Sequence, residues 1–285
     1  MNNILVTGSN GQLGSEIRAL APKHPTYNFI FTDVEELDIC NHIAVKQFIA
    51  TNNINVIINC AAYTAVDKAE EQFEIADNIN HLAVANFAQI AKEKDIKLIH
   101  ISTDYVFDGT AHKPYTETDT QNPQSVYGKT KLAGEVAMQN INPANAIIIR
   151  TSWVYSNYGN NFVKTMLRLG NERDQLNVVA DQVGTPTNAA DLAKAILTIL
   201  PKLNNETVEL FHYSNEGVCS WYDFAKAIFE IKGLPIKVSP IESSQYPTPA
   251  ERPFYSVLNK RLIKEKYGLK IPYWKDSLIN CIQIL

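Results

Sequence analysis

Near its beginning the chain reads Asn3-Ile4-Leu5-Val6-Thr7-Gly8-Ser9-Asn10-Gly11-Gln12-Leu13-Gly14. The first five residues are a nearly continuous apolar run, which is typical of a parallel strand covered on both faces. The glycines then open an apolar-periodic helix. This order predicts a dinucleotide site, because backbone N–H groups at a helix N-terminus hold a pyrophosphate. The spacing is G-x-x-G-x-x-G, and we expect cofactor contacts from Gly8, Asn10, Gly11, Gln12, Leu13 and Gly14.

Apolar runs continue to alternate with helical stretches as far as residue 151. Four further runs lie at residues 29–32, 56–60, 97–101 and 146–150. This alternation predicts an α/β fold with a doubly wound, Rossmann-like parallel sheet that binds ligands at the carboxyl ends of its strands. We expect a dinucleotide-binding domain over 1–151. Residues 152–285 are expected to form mainly a smaller C-terminal substrate-binding lobe, with some segments returning to the first domain.

Further candidate cofactor residues follow the second and third runs. Asp33 ends the second run, where a carboxylate accepts a hydrogen bond from the ribose 2′-hydroxyl and repels a 2′-phosphate, which favours NADH. The alternative interpretation of Asp33 is a turn cap. Small residues after the third run let a cofactor approach the backbone closely. We expect further cofactor contacts from Asp33, Asp38, Ile39, Ala61, Ala62, Tyr63 and Thr64.

Acid–base chemistry is indicated by Tyr127 and Lys131, which share one face of a predicted helix. A nearby ammonium favours the phenolate and would move the tyrosine pKa down from about 10. A hydroxyl after the fourth run, that of Thr103 or Ser102, could hold a substrate carbonyl against the phenol. The Tyr-x-x-x-Lys spacing also occurs at Tyr222 and Lys226, which we interpret as part of an ordinary amphipathic helix. The glycine turn upstream and the Ser-Thr pair distinguish the first copy from the second.

Composition narrows the classes of partner. The 285 residues carry a formal net charge of −4 without a basic block, which disfavours nucleic acid and anionic membranes. The four cysteines match no zinc or redox spacing and fit buried residues in a reducing cytoplasm. The first strand leaves no room for a signal peptide, and no apolar run reaches the roughly 18 residues of a membrane span. We therefore expect a soluble cytoplasmic protein.

Longer strings resemble a known family. The glycine turn, Asp33, the small-residue turn and the Tyr127/Lys131 pair are similar to those of the extended short-chain dehydrogenase/reductases. More narrowly, nearly the whole chain resembles the dTDP-4-dehydrorhamnose reductases. The strings that carry this resemblance are Ala65-Val66-Asp67-Lys68-Ala69-Glu70, Ser102-Thr103-Asp104-Tyr105-Val106-Phe107-Asp108-Gly109, Arg150-Thr151-Ser152-Trp153-Val154-Tyr155, Gly159-Asn160-Asn161-Phe162 and Asp181-Gln182-Val183-Gly184-Thr185-Pro186-Thr187.

The resemblance implies reduction of the C4 ketone of dTDP-4-dehydro-L-rhamnose by NADPH or NADH, the last step of dTDP-L-rhamnose biosynthesis. By position, Tyr127 would donate the proton, and Lys131 would bind the nicotinamide ribose and lower the phenol pKa. Thr103 would orient the carbonyl. Trp153 would contact the sugar with Asp104 beside it, although core packing also explains a tryptophan. Some members form magnesium-linked homodimers; the sequence offers no carboxylate cluster for this metal, so magnesium and a homodimer stay open.

Two alternatives remain open at this stage. Another nucleotide-sugar enzyme of the superfamily, a dehydratase or an epimerase, would share the fold. Dehydratases resembling this chain carry Thr-Asp-Glu, whereas Tyr105 stands here in the third position. A non-catalytic regulatory subunit, like that of methionine adenosyltransferase, also shares much of the pattern. The intact set of Thr103, Tyr127 and Lys131 favours catalysis. The exact nucleotide and the sugar stereochemistry are left undetermined.

Overall fold

The first strand, β1 (Asn2–Thr7), lies inside a six-stranded sheet whose neighbouring strands all pair in parallel. The structure is a computed structural model and describes residues 2–285. The other strands are β2 (Tyr27–Thr32), β3 (Ile54–Asn59), β4 (Lys97–Thr103), β5 (Ala146–Thr151), β6 (Val154–Tyr155), β7 (Gln175–Val179), β8 (Val183–Gly184), β9 (Thr187–Asn188), β10 (Glu209–His212), β11 (Cys219–Ser220) and β12 (Lys237–Ile241).

Helices cover both faces of the sheet. The helices are α1 (Gln12–Leu20), α2 (His42–Thr51), α3 (Val66–Ala69), α4 (Phe73–Asp77), α5 (Ala83–Lys94), α6 (Val126–Ile141), α7 (Phe162–Glu172), α8 (Ala189–Ile199), α9 (Trp221–Lys232), α10 (Arg261–Tyr267) and α11 (Trp274–Ile282). Successive side chains of a strand point to opposite faces. Ile4 and Val6 therefore pack with α1 and α8, whereas Leu5 packs with α2 and α5. The expected α/β fold with a doubly wound sheet is confirmed.

The strand order β2-β1-β3-β4-β5-β10 reverses direction between β1 and β3. A crevice forms outside the carboxyl ends of the strands at such a switch point. Gly8 closes this crevice on one side, and a Cβ on it would lie 2.7 Å from the Ala61 backbone. Its φ of +62° is also readily adopted only by glycine. The sequence thus brings the ends of β1 and β3 into direct contact.

The helical region between β3 and β4 is not continuous. It is divided into α3, α4, a π-helical turn at Asn78–Leu82, and α5. The wide turn carries Asn80, whose side chain accepts from the Tyr63 N–H at 2.9 Å and donates to the Tyr63 carbonyl at 3.1 Å. The interruption therefore supports the small-residue turn after β3.

Elements from beyond residue 151 divide between two places. The short strand β10, which the sequence patterning did not predict, pairs with β5, and α8 packs against α1. In contrast, α7, α9 and α11 pack around β7 in a separate apolar cluster. The division of the chain into domains stays a prediction, with the large sheet drawing on both halves. No helix within residues 2–285 is long and apolar enough to cross a bilayer.

Candidate active site

A cavity of about 620 Å³ lies at the carboxyl ends of β1, β3 and β4. Its size is that of a cofactor site. The predicted residues that line it are Gly8, Asn10, Gly11, Gln12, Leu13, Asp33, Asp38, Ile39, Ala61, Ala62, Thr64, Tyr127 and Lys131. The cavity is also lined by residues that were not among the expected cofactor contacts, namely Val34, Leu37, Cys60, Ile79, Ile101, Ser102, Thr151, Val154, Gly159, Asn160 and Leu192.

The glycine turn leaves the start of α1 open toward this cavity. Gly11 is the N-cap of α1, and no side chain caps the helix. The first N–H groups of a helix lack partners within it, so they can bind a phosphate that lies in front of them. Gly14 has a different role, because a Cβ on it would lie 2.5 Å from the Ser9 Cα. It allows the helix to pack against the turn and does not line the cavity.

Asp33 has the structural contacts of a turn residue and also faces the cavity. It lines the cavity, and its Oδ2 accepts from the Asn10 N–H at 3.0 Å while its Oδ1 accepts from the Val34 N–H at 2.9 Å. The carboxylate thus connects the glycine turn to the end of β2. Because carboxylate oxygens accept several hydrogen bonds each, this structural role leaves acceptor capacity for a ribose hydroxyl.

Tyr63 is the other predicted cofactor residue that does not line the cavity. Its phenol donates to Gln72 at 2.6 Å, and its backbone is held by Asn80. The residue therefore supports the turn whose neighbours Ala62 and Thr64 do line the cavity.

The structure brings Tyr127 and Thr103 together at the end of β4. Ser125 caps α6 by accepting from the Gly128 N–H at 3.1 Å. Gly128 then lets the helix approach the preceding loop, because a Cβ there would lie 2.3 Å from the Tyr105 carbonyl oxygen. This close packing places the Tyr127 side chain beside Thr103 and its ring edge-on to Tyr105, with centroids 5.4 Å apart.

The expectation that Lys131 lowers the phenol pKa is wrong for this arrangement. Burial raises the pKa of Tyr127 to about 12, and the hydrogen bond with Thr103 only partly opposes this effect. The Lys131 amine instead donates to the Ile101 carbonyl at 2.6 Å. Tyr127 consequently keeps its proton at neutral pH, which is the form that a proton donor needs.

Lys131 itself is an unusual lysine. It is 1% exposed, and burial lowers its pKa to about 8, with the charge of Glu135 acting in the opposite direction. Beyond the Ile101 carbonyl, its amine lies 3.4 Å from Nε2 of His100. Lys131 can therefore change protonation state close to neutral pH.

Asp104 is buried beside the same hydroxyl. Its Oδ1 accepts from Thr103 at 3.0 Å, whereas its Oδ2 has no hydrogen-bond partner among residues 2–285. Burial raises the pKa of Asp104 to about 7. Neither Thr103 nor Asp104 lines the cavity described above. An unpartnered buried oxygen next to Thr103 is consistent with a group that meets a substrate.

Trp153 lies outside the cavity and stacks on Trp221, with ring centroids 3.6 Å apart. Its backbone has φ of +49°, a left-handed conformation that is strained for a bulky residue. Gly184 packs under the indole, since a Cβ there would be 2.7 Å from the ring. The ring is thus fixed by packing, and the strain is of the kind that clusters at functional sites.

A second buried cluster next to the site escaped the sequence reasoning. Glu135 accepts from Arg150 at 2.6, 3.0 and 3.1 Å, and Ser102 donates to the same carboxylate. His212 lies 3.5 Å from the Arg150 guanidinium. Two features of the sequence could have indicated this cluster: an arginine near the end of an apolar strand, and a glutamate on the same helix as Tyr127. These groups connect α6 to β4 and β5 directly behind Thr103.

The other residues singled out in the sequence lie outside the cavity. Tyr222 and Lys226 lie together on α9, away from the cavity, with the ammonium 5.9 Å from the ring centroid. Asp67 pairs at 2.8 Å with Arg252, which lies in a segment with prolines at positions 247, 249 and 253, and so holds that segment near Tyr105. Within residues 2–285, no three His, Cys, Asp or Glu side chains are grouped so that they could hold a metal ion.

Sheet order, glycine turn and the Tyr127/Lys131 pair define a dinucleotide-binding protein of the extended short-chain dehydrogenase/reductase type. A family model described as RmlD substrate binding domain matches residues 1–285. The chain is also 42% identical over 290 residues to the dTDP-4-dehydrorhamnose reductase of Aggregatibacter actinomycetemcomitans, and the match covers 98% of each protein. The chain therefore belongs to the dTDP-4-dehydrorhamnose reductase family.

Solved structures agree with this membership. A dTDP-4-dehydrorhamnose reductase from Clostridium acetobutylicum is 48% identical, with a TM-score of 0.94 over 99% of each chain. The corresponding protein from Bacillus anthracis, solved in complex with NADP, is 38% identical, with a TM-score of 0.94 over 100% of each chain. The resemblance inferred from sequence strings is thus confirmed over the full length.

Proposed function

We propose that the protein reduces the C4 ketone of dTDP-4-dehydro-L-rhamnose to dTDP-L-rhamnose, with NADPH or NADH as the hydride donor. The observation that carries this proposal is the meeting of Tyr127 and Thr103 at the carboxyl end of β4, beside a cavity lined by Lys131 and the glycine turn. Family membership supplies the substrate, a small nucleotide sugar. We place the reaction in the cytoplasm.

The residues of the cavity fit a nicotinamide dinucleotide, which supplies the hydride when bound. The uncapped start of α1 and the glycines behind it provide N–H donors for the pyrophosphate. Ala61 and Ala62 present only methyl groups, so the cofactor can lie close to the backbone of the turn after β3. Asp33, at the end of β2, is in position to accept from a ribose hydroxyl.

Tyr127 acts as the proton donor, because its raised pKa keeps the phenol protonated until the ketone oxygen gains negative charge. Thr103 orients that oxygen, and Asp104 holds the threonine hydroxyl from the other side. Lys131 balances the phenolate that remains. These roles need only the contacts present at the end of β4.

A dehydratase function is less well supported. Elimination would need a carboxylate where Tyr105 stands. Burial and the nearby Asp104 raise the pKa of the Tyr105 phenol above its ordinary value, so it is a poor base at neutral pH. The site therefore offers one proton donor at the ketone and lacks the adjacent acid that an elimination would use.

The test compares Tyr127→Phe with Tyr222→Phe. The first change removes only the phenolic proton, so we expect kcat to fall by about 10²–10⁴-fold with cofactor affinity largely preserved. The second change affects the other Tyr-x-x-x-Lys copy and should leave turnover nearly unchanged. The measurement is oxidation of NADPH and of NADH with the dTDP-linked 4-ketosugar. A larger loss in Tyr222→Phe would refute the assignment of the site.

A further inference from the structure

Lys131 contacts a buried histidine that the proposed reaction does not by itself require. His100 lies on β4, is 0% exposed, and has its Nε2 3.4 Å from the Lys131 amine. A neutral imidazole has one nitrogen that donates and one that accepts. Which of the two faces Lys131 decides whether the histidine favours the amine or the ammonium.

Asn59 at the end of β3 determines this orientation. Its Oδ1 accepts from the Ala61 N–H at 3.2 Å and from the Thr7 hydroxyl at 2.7 Å. A backbone N–H can only donate, so the Asn59 amide nitrogen is the atom that faces His100 Nδ1, at 3.1 Å. The amide nitrogen also only donates. Nδ1 of His100 therefore accepts, and the single ring proton is on Nε2.

The Nε2–H of His100 is thus directed at the Lys131 amine. A neutral amine accepts this N–H with its lone pair, whereas an ammonium has no acceptor to offer. We propose that His100, oriented by Asn59, is a positioning residue whose N–H stabilises the neutral amine form of Lys131 and so allows the lysine to lose and regain its proton. The proposal rests on the proposed reductase function, in which the Tyr127 phenolate must be protonated again after each turnover.

The proton balance of this cycle is simple. Tyr127 gives its proton to the ketone oxygen, the Lys131 ammonium supplies the proton that restores the phenol, and solvent restores the ammonium. While Lys131 is neutral, its lone pair is occupied by the His100 N–H and its own N–H still donates to the Ile101 carbonyl. His100 remains neutral throughout, because burial and the neighbouring lysine hold its pKa well below the ordinary value.

Other charged groups around Lys131 are few. On its own helix are Tyr127 and Glu135, and Glu135 is paired with Arg150 of β5. The titratable group that β4 contributes is His100. Thr7 of β1 and Asn59 of β3, which are hydrogen-bonded in series to His100, are neutral. The negative charge of Glu135 favours the ammonium, while burial and the His100 N–H favour the amine.

The direct test needs no turnover and no variant. Nitrogen-15 NMR of the histidine rings in the wild-type protein distinguishes the two neutral tautomers. We expect the proton of His100 on Nε2 and that of His212 on Nδ1, since His212 Nδ1 lies 3.1 Å from the Tyr115 carbonyl, which can only accept. A His100 ring protonated on Nδ1 would overturn the proposal, even if the protein proved to be an active reductase.

A second test reverses the tautomer. Asn59→Asp keeps the acceptors for Ala61 and Thr7 but presents an acceptor to His100 Nδ1, so the Nε2 lone pair turns toward Lys131. We expect the Lys131 ammonium to persist to higher pH by about one pH unit, seen in carbon-13 NMR of the lysine Cε and in the alkaline limb of kcat/KM. In the His100→Gln variant the new amide can still accept from Asn59 and donate to Lys131. The alkaline limb of its kcat/KM profile should therefore lie at the wild-type pH.

Two controls separate the tautomer from the added charge. In the double variant Asn59→Asp/His100→Leu the carboxylate remains, but no imidazole connects it to Lys131. The Lys131 titration of this variant should therefore differ little from that of His100→Leu alone. An undiminished shift would refute the role of His100. His212→Gln, a buried histidine replaced beside a different cation, should leave the Lys131 titration unchanged, and a shift there would equally count against the proposal. Absence of turnover in the wild type would refute the reductase function and leave the NMR tests intact.

Discussion

Two buried cations, Lys131 on helix α6 and Arg150 on strand β5, each contact a buried histidine. Arg150 has a bidentate partner in Glu135 and faces the lone pair of His212. Among residues 2–285, Lys131 has no carboxylate partner within hydrogen-bonding distance, and it faces the N–H of His100. At its histidine contact the arginine faces an acceptor, whereas the lysine faces a donor and has the Ile101 carbonyl as its acceptor. One cation stabilises the fold and the other is free to titrate.

The same contrast extends to the carboxylates. Glu135 is satisfied by Arg150 and Ser102, whereas Asp104 has one oxygen without a partner and a pKa raised by burial. Complete pairing is typical of groups that stabilise a structure, and incomplete pairing of groups that meet a ligand. The comparison therefore assigns different consequences to substitutions of buried charged residues in the same part of the molecule.

The largest expected difference is in stability between Arg150→Met and Lys131→Met. Arg150→Met leaves Glu135 buried without a cation, and we expect the free energy of unfolding to fall by about 3–5 kcal/mol. Lys131→Met breaks no ion pair and keeps most of the apolar stem, so we expect a change within roughly 1 kcal/mol. Denaturant unfolding of both variants measures the difference. Equal losses would show that the two cations do not differ as described.

A smaller effect is expected at Asp104. Its folded-state pKa of about 7 is above that of an unfolded carboxyl, so its ionisation costs stability. The cost is absent below about pH 4, grows as the pH rises toward 7, and is constant above that. Asp104→Asn should therefore gain on the order of 1–3 kcal/mol over wild type at pH 8 and little at pH 4. A gain independent of pH would contradict the raised pKa.

The smallest effect is expected in cofactor choice at the other end of the cavity. Asp33, like Glu135, has both oxygens bonded, but to backbone N–H groups and not to a cation. Asp33→Ser removes a charge that repels a 2′-phosphate, so the NADPH/NADH ratio of kcat/KM should rise about tenfold. An unchanged ratio would leave Asp33 only its structural role. Glu35→Gln, which removes an exposed carboxylate outside the cavity lining, is the matched control for loss of charge and should leave the ratio unchanged.

The sequence predicted the sheet and the cofactor edge because each depends on local patterns. Apolar runs, the glycine turn and the small residues after β3 all correspond to elements found in place. The Arg150–Glu135 pair and the Asn59–His100 contact were missed because they join strands and helices far apart in the chain. The pKa of Tyr127 was predicted in the wrong direction, since spacing reveals a neighbour but not the burial that outweighs it.

Trp153 illustrates the same limit at the backbone level. Its string identified the family, but neither its left-handed conformation nor its stacking on Trp221 follows from residue order. Strand β10 is a similar case, because four residues with polar ends carry little periodic signal and are placed by pairing with β5. Both features are set by tertiary packing rather than by local propensity.

Transfer of deuterium from the cofactor to C4 of the sugar tests the central claim most directly. The wild-type protein would be incubated with the dTDP-linked 4-ketosugar and NADPH or NADH deuterated at the transferable position, and the product analysed by NMR. We predict that the product carries deuterium at C4 and that Tyr127→Phe forms it far more slowly. Binding of the cofactor without deuterium transfer to any nucleotide-linked 4-ketosugar would contradict the account.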